Sequence, residues 1–205
     1  MPRPYRRTVR TIPIDTQSGT ARVPLSNGLE AIIDAADTPI VEGHNWHAFG
    51  DVGRPGNHTH YARTNARRPD GSRHPVPLHH MLLGKPPKGM VVDFVNGNGL
   101  DCRRSNMRFA TRAQDSQNYR KPVTNTSGAK GVSEFRGRYV AQIRAFGPIT
   151  HLGLFGSVEE AARAYDAAAR DMHGAFARTN AAMRLLSAGE DRADFVQKSQ
   201  PVSME

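Results

Sequence analysis

The sequence predicts an α+β protein, and three patterns along the chain carry this prediction. Short runs of β-forming residues separated by Gly, Pro, Asn and Asp fill residues 12–76. A strand, a turn, a strand and a helix follow at residues 91–118. Three further short strands and one amphipathic helix occupy residues 131–174. We therefore predict a small β subdomain, a hairpin-and-helix module, and a three-stranded sheet packed on one helix.

The composition points to a polyanionic partner. The 205 residues carry a formal net charge of +9, with an isoelectric point near 10.3, which is typical of proteins that bind nucleic acid. No segment is long and apolar enough to span a membrane, and the Arg-rich start lacks the apolar core of a secretory signal. The single Cys102 excludes an intrachain disulfide and a cysteine-based zinc finger. We expect an intracellular protein whose metal ligands, if any, are oxygen and nitrogen.

The first part of the chain contains a basic segment and then β structure. Residues 1–11 hold four arginines and no acid, so they form either a solvated tail or a phosphate-contacting arm. Strands are predicted at residues 21–25, 29–33 and 60–64, with Trp46 as a core aromatic. A short helix at residues 77–83 carries adjacent histidines, which diverge by about 100° on a helix, so at most one faces any given site.

The stretch 91–118 concentrates the polar chemistry. Turn residues 96–99 reverse the chain between two strands, and Thr111 with Gln114 forms a capping box that starts a helix. Asp93, Asn106 and Asp115 are a candidate site for Mg²⁺ or Mn²⁺, which oxygen ligands suit. The alternative is that Asp93 and Asn106 tie turns together while Asp115 pairs with an arginine.

The C-terminal part reads as a separate domain after a polar linker at residues 119–129. Strands are predicted at residues 131–135, 138–145 and 150–155. A helix then begins after Ser157, with Glu160 completing a second capping box, and ends at Gly174. We expect residues 187–205 to be a disordered tail.

A basic surface spans both halves of this region. Residues 103–144 contain ten Lys or Arg against two acids, so we favour a nucleic-acid track over a solvated face. In the second strand of the predicted C-terminal sheet, Arg138, Gln142 and Arg144 alternate with apolar residues. Arg and Gln are the side chains that read guanine and adenine edges in a major groove.

Two segments resemble known families. Residues 78–118 resemble the HNH endonucleases of phage homing type, in which a β-hairpin and a helix (the ββα-metal module) hold one divalent metal, and the preceding strands, Trp46 and residues 61–63 resemble the β subdomain of that family. Residues 128–180, from GAKGV through AARAYDAAARDMHGAFARTN, resemble the apetala and ethylene-response-factor (ERF) type DNA-binding domain. The resemblances imply an HNH-like domain at 12–118 and an ERF-like domain at 130–182.

The HNH resemblance also assigns roles to residues. It implies that Asp93 and Asp115 are metal ligands, that Asn106 orients the catalytic group, and that His80 matches a histidine before the hairpin. Phe94 stands where the family has its general base histidine, and Cys102 stands where the family usually has Asn. A phenyl ring accepts no proton, so the resemblance implies a nuclease scaffold whose cleavage is weak or lost.

Double-stranded DNA is the partner that both resemblances imply, in the cytoplasm of a bacterial or phage-infected cell. The alternatives are an active metal-dependent nicking enzyme with a substitute base such as His79 or His80, a transcriptional regulator derived from such an enzyme, and a binder of RNA or other polyanions. The oligomeric state stays open. The expected DNA contacts are Arg103, Arg104, Arg108, Arg112, Lys130, Arg136, Arg138, Tyr139, Gln142 and Arg144.

Overall fold

The computed structural model describes residues 11–50, 59–119, 125–144 and 147–187. Within these ranges the chain forms short helices and small antiparallel sheets, which confirms the predicted α+β class. It divides into two compact units, Met1–Ala110 and Thr111–Glu205. Residues 1–10 of the predicted arm, 120–124 of the predicted linker and 188–205 of the predicted tail lie outside the described residues. No helix in the described ranges combines the length and apolarity that spanning a membrane requires.

The first unit begins with a three-stranded antiparallel sheet. Its strands are Ile14–Asp15 (β1), Thr20–Pro24 (β2) and Glu30–Asp34 (β3). Alternation explains their pairing, because Ala21 and Val23 of β2 are buried and lie opposite Ile33 and Ala31 of β3. The helix Thr38–Val41 (α1) follows. Trp46 is buried, as predicted, and its indole Nε1 donates to the Val41 carbonyl at 3.1 Å.

A second sheet and a short helix complete the β subdomain. The strands are His47–Gly50 (β4), His60–Arg67 (β5) and Arg73–Pro77 (β6), in the order β4-β5-β6. Sequence analysis predicted only the middle one. The helix Leu78–Leu83 (α2) starts directly after Pro77 and stops at Gly84, where it was expected.

The hairpin of the first unit is pinned to its first sheet. Its strands are Met90–Phe94 (β7) and Met107–Thr111 (β8). The intervening loop pairs with β3: the Ile32 amide donates to the Leu100 carbonyl at 2.8 Å, and the Cys102 amide donates to the Ile32 carbonyl at 2.7 Å. Burial raises the pKa of the Cys102 thiol to about 12, so Cys102 is a core residue without thiolate chemistry.

The second unit opens with the helix Arg112–Gln117 (α3), and its predicted capping box is present at Thr111 and Gln114. Its sheet has the order β11-β10-β9. The strands are Val132–Phe135 (β9), Arg138–Ile143 (β10) and Thr150–Phe155 (β11).

The helix Val158–His173 (α4) lies on one face of this sheet. A Cβ at Gly131, where φ is +74°, would lie 2.0 Å from the Tyr165 ring, so only glycine permits this packing. At the start of α4, Ser157 accepts from the Glu160 amide at 3.2 Å as predicted. The Glu160 carboxylate accepts instead from the Gly156 amide, so the capping box is only half formed.

A fifth helix, Asn180–Ser187 (α5), was not predicted. Its start is held by the buried carboxylate of Asp166, which accepts from the Asn180 amide at 2.6 Å, the Asn180 side chain at 2.9 Å and the Ala181 amide at 3.0 Å. Asn180 also bonds to both backbone groups of Lys130. One carboxylate thus joins α4, α5 and the turn before β9.

We predict that Asp166→Ala lowers the free energy of unfolding of the chain by about 2 to 3 kcal/mol, because two buried hydrogen bonds and one part-buried hydrogen bond lose their charged acceptor. Urea denaturation followed by circular dichroism measures this change. Asp171→Ala, on an exposed position of the same helix, is the matched control and should change the midpoint little. Equal effects of the two substitutions would contradict the role given to Asp166.

Candidate active site and nucleic-acid interface

Asn106 ties the hairpin loop together. Its buried side-chain oxygen accepts from the Asn96 amide at 2.9 Å, and its side-chain nitrogen donates to the Asp101 carbonyl at 2.8 Å. The Asn96 side chain in turn donates to the Asp101 carboxylate at 2.7 Å. Both ends of the Asn106 amide therefore serve the loop, which is the structural alternative that the sequence left open.

Asp93 is bound by an arginine of the neighbouring strand. Its side chain is buried, and its Oδ2 accepts from the Nε of Arg108 at 2.7 Å. A buried carboxylate needs such a partner because desolvation without one is costly. The ion pair links β7 to β8 and is again the structural alternative to metal ligation.

Phe94 lies in an aromatic cluster at the end of β7. It is 5% exposed, and its ring centroid lies 5.6 Å from that of Tyr61 and 5.4 Å from that of His79. Tyr61 also contacts His79 at 5.7 Å and Phe49 at 5.7 Å. A Cβ at Gly99 would lie 2.5 Å from the Tyr61 ring, so the loop closes directly on this cluster. The position beside Asp93 is thus apolar.

Of the two adjacent histidines, His79 is the one that contacts Phe94. Its imidazole is buried, and burial, with a smaller contribution from the nearby His80 ring, lowers its pKa to about 4. His80 is half-buried, and burial lowers its pKa as well. The role predicted for His80 stays a prediction. The histidine inside the cluster is one that sequence analysis named only as a substitute base.

Three arginines predicted to grip DNA near the hairpin form ion pairs within the first unit. Arg108 pairs with Asp93, as described above. Arg103 binds both carboxylate oxygens of Asp101, at 2.8 and 2.7 Å, and Arg104 binds those of Asp37, with a shortest contact of 2.8 Å. Their charges are compensated, so a role on DNA phosphates stays a prediction for these residues.

Two predicted DNA contacts of the second unit also take part in its packing. The ammonium of Lys130 donates to the Gln117 carbonyl at 2.7 Å, and burial, together with Arg178, lowers the pKa of Lys130 to about 8. The Tyr139 ring belongs to the core under α4. Both residues thus take part in the packing of the second unit, and their contacts with DNA stay predictions.

The remaining predicted contacts of this unit are accessible. Arg112, Arg136, Arg138 and Arg144 are exposed, and Gln142 is half-buried. Arg138 and Gln142 lie on the sheet face opposite α4, because their neighbours Ala141 and Ile143 are buried beneath the helix. Arg144 follows β10 directly and is exposed. The predicted division of this strand into an apolar and a polar face is therefore present.

Asp115 lies on α3 in the second unit, whereas Asp93 lies in the first. Among the residues that the structure describes, no three His, Cys, Asp or Glu side chains are grouped so that they could hold a metal ion. Asp101 and Tyr61, which organise the loop and the aromatic cluster, were not predicted as site residues. The pattern Asp101-x-Arg103 was a local signal for the first of these, whereas no local signal marked Tyr61 as a neighbour of Phe94.

Comparison with known proteins identifies the family. A profile described as HNH endonuclease matches residues 80–117. Protein 3.8 of Escherichia phage T7 is 34% identical over 97 residues, which are 46% of this chain and 79% of that protein. The chain belongs to the HNH endonuclease family. An uncharacterized HNH endonuclease, L560 of Acanthamoeba polyphaga mimivirus, is 31% identical over 100 residues, 49% of this chain and 52% of that protein.

Part of this HNH protein also matches a plant protein. The ethylene-responsive transcription factor ERF084 of Arabidopsis thaliana is 50% identical over 64 residues, which are 30% of this chain and 25% of that factor. No solved structure matches the chain significantly. Family membership makes this a nuclease-type protein that interacts with DNA.

HNH nucleases commonly use a divalent metal, so the residues of this HNH module must be tested against one. The Asp93 carboxylate is buried and its Oδ2 lies 2.7 Å from a permanent guanidinium. That guanidinium compensates the negative charge which would attract a cation. As arranged, Asp93 does not fit a resident Mg²⁺ or Mn²⁺.

We predict that His79 makes stability fall in mild acid. Its pKa is about 4 in the folded chain against 6.5 for an ordinary histidine, so between these values the unfolded chain binds more protons. Stability is therefore full above pH 6.5 and decreases as pH falls towards 4, by up to about 3 kcal/mol. Thermal unfolding across this range should show a shallower dependence for His79→Leu, whereas His60→Leu, at an exposed position, should behave like the wild type. If His79→Leu left the dependence of thermal stability on pH unchanged, the role given to His79 would be wrong.

Proposed function

We propose that this HNH-family protein binds double-stranded DNA in a sequence-directed way through its C-terminal sheet, and that its cleavage activity is weak or lost. The observation that carries the proposal is the environment of β7. Asp93 is bound to Arg108, and the next residue, Phe94, is buried among aromatic rings. The chain would act where DNA is found, in the cytoplasm of a bacterial or phage-infected cell.

The residue directly after Asp93 cannot accept a proton, because it is a phenylalanine. By resemblance to the family, Phe94 stands at the general base position, and general base assistance is typically worth about 10² to 10⁴ in rate. The nearest imidazole, that of His79, has a pKa near 4 and lies inside the cluster. A base of such low pKa takes up a proton poorly at neutral pH, so His79 is a poor substitute.

Negative charge develops at the scissile phosphate when a phosphodiester is hydrolysed. A divalent metal would stabilise the negative charge that develops there. At Asp93 the cationic group is Arg108, which is held to the carboxylate. The charge of Asp93 is therefore compensated without a metal, which supports weak or lost hydrolysis at this hairpin.

The sheet of the second unit carries side chains suited to base readout. Arg138 and Gln142 share one face of β10, the exposed Arg144 follows the strand, and Arg and Gln side chains match purine edges in the major groove. The resemblance of residues 128–180 to ERF-type domains and the identity shared with a plant transcription factor support the same role. That similarity also favours a transcriptional regulator as the alternative function, whereas family membership favours a nicking enzyme.

We predict that two substitutions are needed to restore cleavage. Phe94→His supplies a base, and Arg108→Leu releases Asp93 for a metal. Either change alone should leave nicking of supercoiled plasmid in Mg²⁺ near the wild-type level, and the pair should raise it about 100-fold or more. Thermal unfolding in Mg²⁺ checks that each variant is folded.

The control for this experiment is Asp93→Ala, introduced into the double variant and into the wild type. It should abolish the nicking that the double variant gained, and it should leave the nicking level of the wild type unchanged. Nicking by the wild-type chain that disappears in Asp93→Ala would establish the active enzyme instead.

We predict two classes of DNA-binding variant. Arg138→Ala and Arg144→Ala should lose preference among duplexes, because they remove base readers. Arg112→Ala, at an exposed position of α3, should weaken all sequences alike and reduce the salt slope by about 1. Footprinting and salt titration measure both effects, and the footprint should survive chelation of metals. Uniform weakening by all three substitutions would contradict sequence reading by the sheet.

A further inference from the structure

The exposed face of the C-terminal sheet has an apolar centre. Val140 of β10 and Leu154 of β11 are register partners, so their side chains lie on the same face. This is the face away from α4, because the residues that follow them, Ala141 and Phe155, belong to the core under that helix. Leu154 is 41% exposed. We name this pair the Val140–Leu154 patch.

Two polar side chains of β10 flank the patch. Arg138 precedes Val140 and Gln142 follows it on the same face. The Arg138 guanidinium donates from one nitrogen to the Leu154 carbonyl at 3.1 Å, which holds this side chain beside the patch. The partner of Gln142 across the sheet is the exposed His151. The patch is therefore flanked by a hydrogen-bonding side chain at each end along β10, while the exposed Phe135 of β9, the register partner of Arg138, lies on the same face.

The charge around the Val140–Leu154 patch indicates which kind of partner binds there. The exposed Arg136, Arg138 and Arg144 surround or flank this face, and nearby carboxylates are few, since residues 125–155 contain only Glu134. Such a surface favours a polyanion over a second copy of the same basic chain. In the major groove of DNA, the apolar group that the base pairs present is the 5-methyl of thymine.

We propose that the Val140–Leu154 patch reads thymine methyl groups in the major groove. This inference rests on the proposed function, because it requires that the sheet enter that groove. Neighbouring strands lie about 4.8 Å apart, and successive bases on one DNA strand rise by about 3.4 Å, so the two side chains reach one thymine or two adjacent ones. Arg138 and Gln142 then contact the flanking purines.

The test compares thymine with deoxyuridine, which differs only in lacking the methyl group. Duplexes selected by the full chain from a random library are resynthesised with deoxyuridine in place of single thymines. Burial of one methyl group corresponds to about a fourfold change in affinity. We expect the wild type to lose about fourfold at one or two thymine positions, and Leu154→Ala to bind the two duplexes equally.

Ile149→Ala is the matched control, since Ile149 is also apolar and is 47% exposed but lies outside the sheet strands. It should keep the discrimination between thymine and deoxyuridine. Because Leu154 is exposed, its replacement should leave thermal unfolding unchanged, and Leu154→Met, which keeps an apolar side chain, should retain most of the discrimination.

Three other results would each overturn the proposed reading of thymine methyl groups. Sequence-selective binding by the wild type with equal affinity for both duplexes overturns the methyl reading and leaves the proposed function standing. No salt-dependent binding to any duplex overturns both. A dimer in solution that Leu154→Ala dissociates places a second copy on the patch and overturns the methyl reading.

Discussion

The requirement that the buried Asp93 carboxylate be compensated shapes the centre of the first unit. Arg108 meets it from the adjacent strand at 2.7 Å, and breaking such a buried pair typically costs about 3 to 5 kcal/mol. The next residue, Phe94, packs into the Tyr61 and His79 rings. The end of β7 is therefore fixed by charge through one residue and by apolar packing through the next. The two contacts reinforce each other, because an aromatic surrounding leaves little water to solvate an unpaired carboxylate.

A family scaffold can keep its fold while its site changes, because different residues carry the two properties. Here the loop is held by Asn96, Asp101 and Asn106, whose hydrogen bonds close within the loop itself. None of these bonds depends on Phe94 or on a metal. The described geometry of the loop is thus maintained with a phenylalanine directly after Asp93.

Local patterns predicted most elements, and long-range partners set the limits of prediction. The alternation of polar and apolar residues predicted the two faces of β10, and the capping box predicted the start of α3. The pairing of Arg104 with Asp37 joins residues 67 positions apart, which no local pattern reveals. Lys130 and Tyr139 stay predicted DNA contacts, but their packing against Gln117 and under α4 was not predicted, because it depends on distant residues. The helix α5 was missed because its start depends on the distant Asp166.

The distribution of compensated charge explains why we place sequence reading in the second unit. Arg103, Arg104 and Arg108 make the hairpin look strongly basic in the sequence, yet each faces a carboxylate of its own unit. In the C-terminal sheet and its flanks, Arg136, Arg138 and Arg144 are exposed, and residues 125–155 contain one acidic residue, Glu134. Unpaired arginines attract phosphate and can also turn their planar donors to base edges. A paired arginine must first give up its carboxylate, and that cost is the reason why we propose base recognition at the sheet.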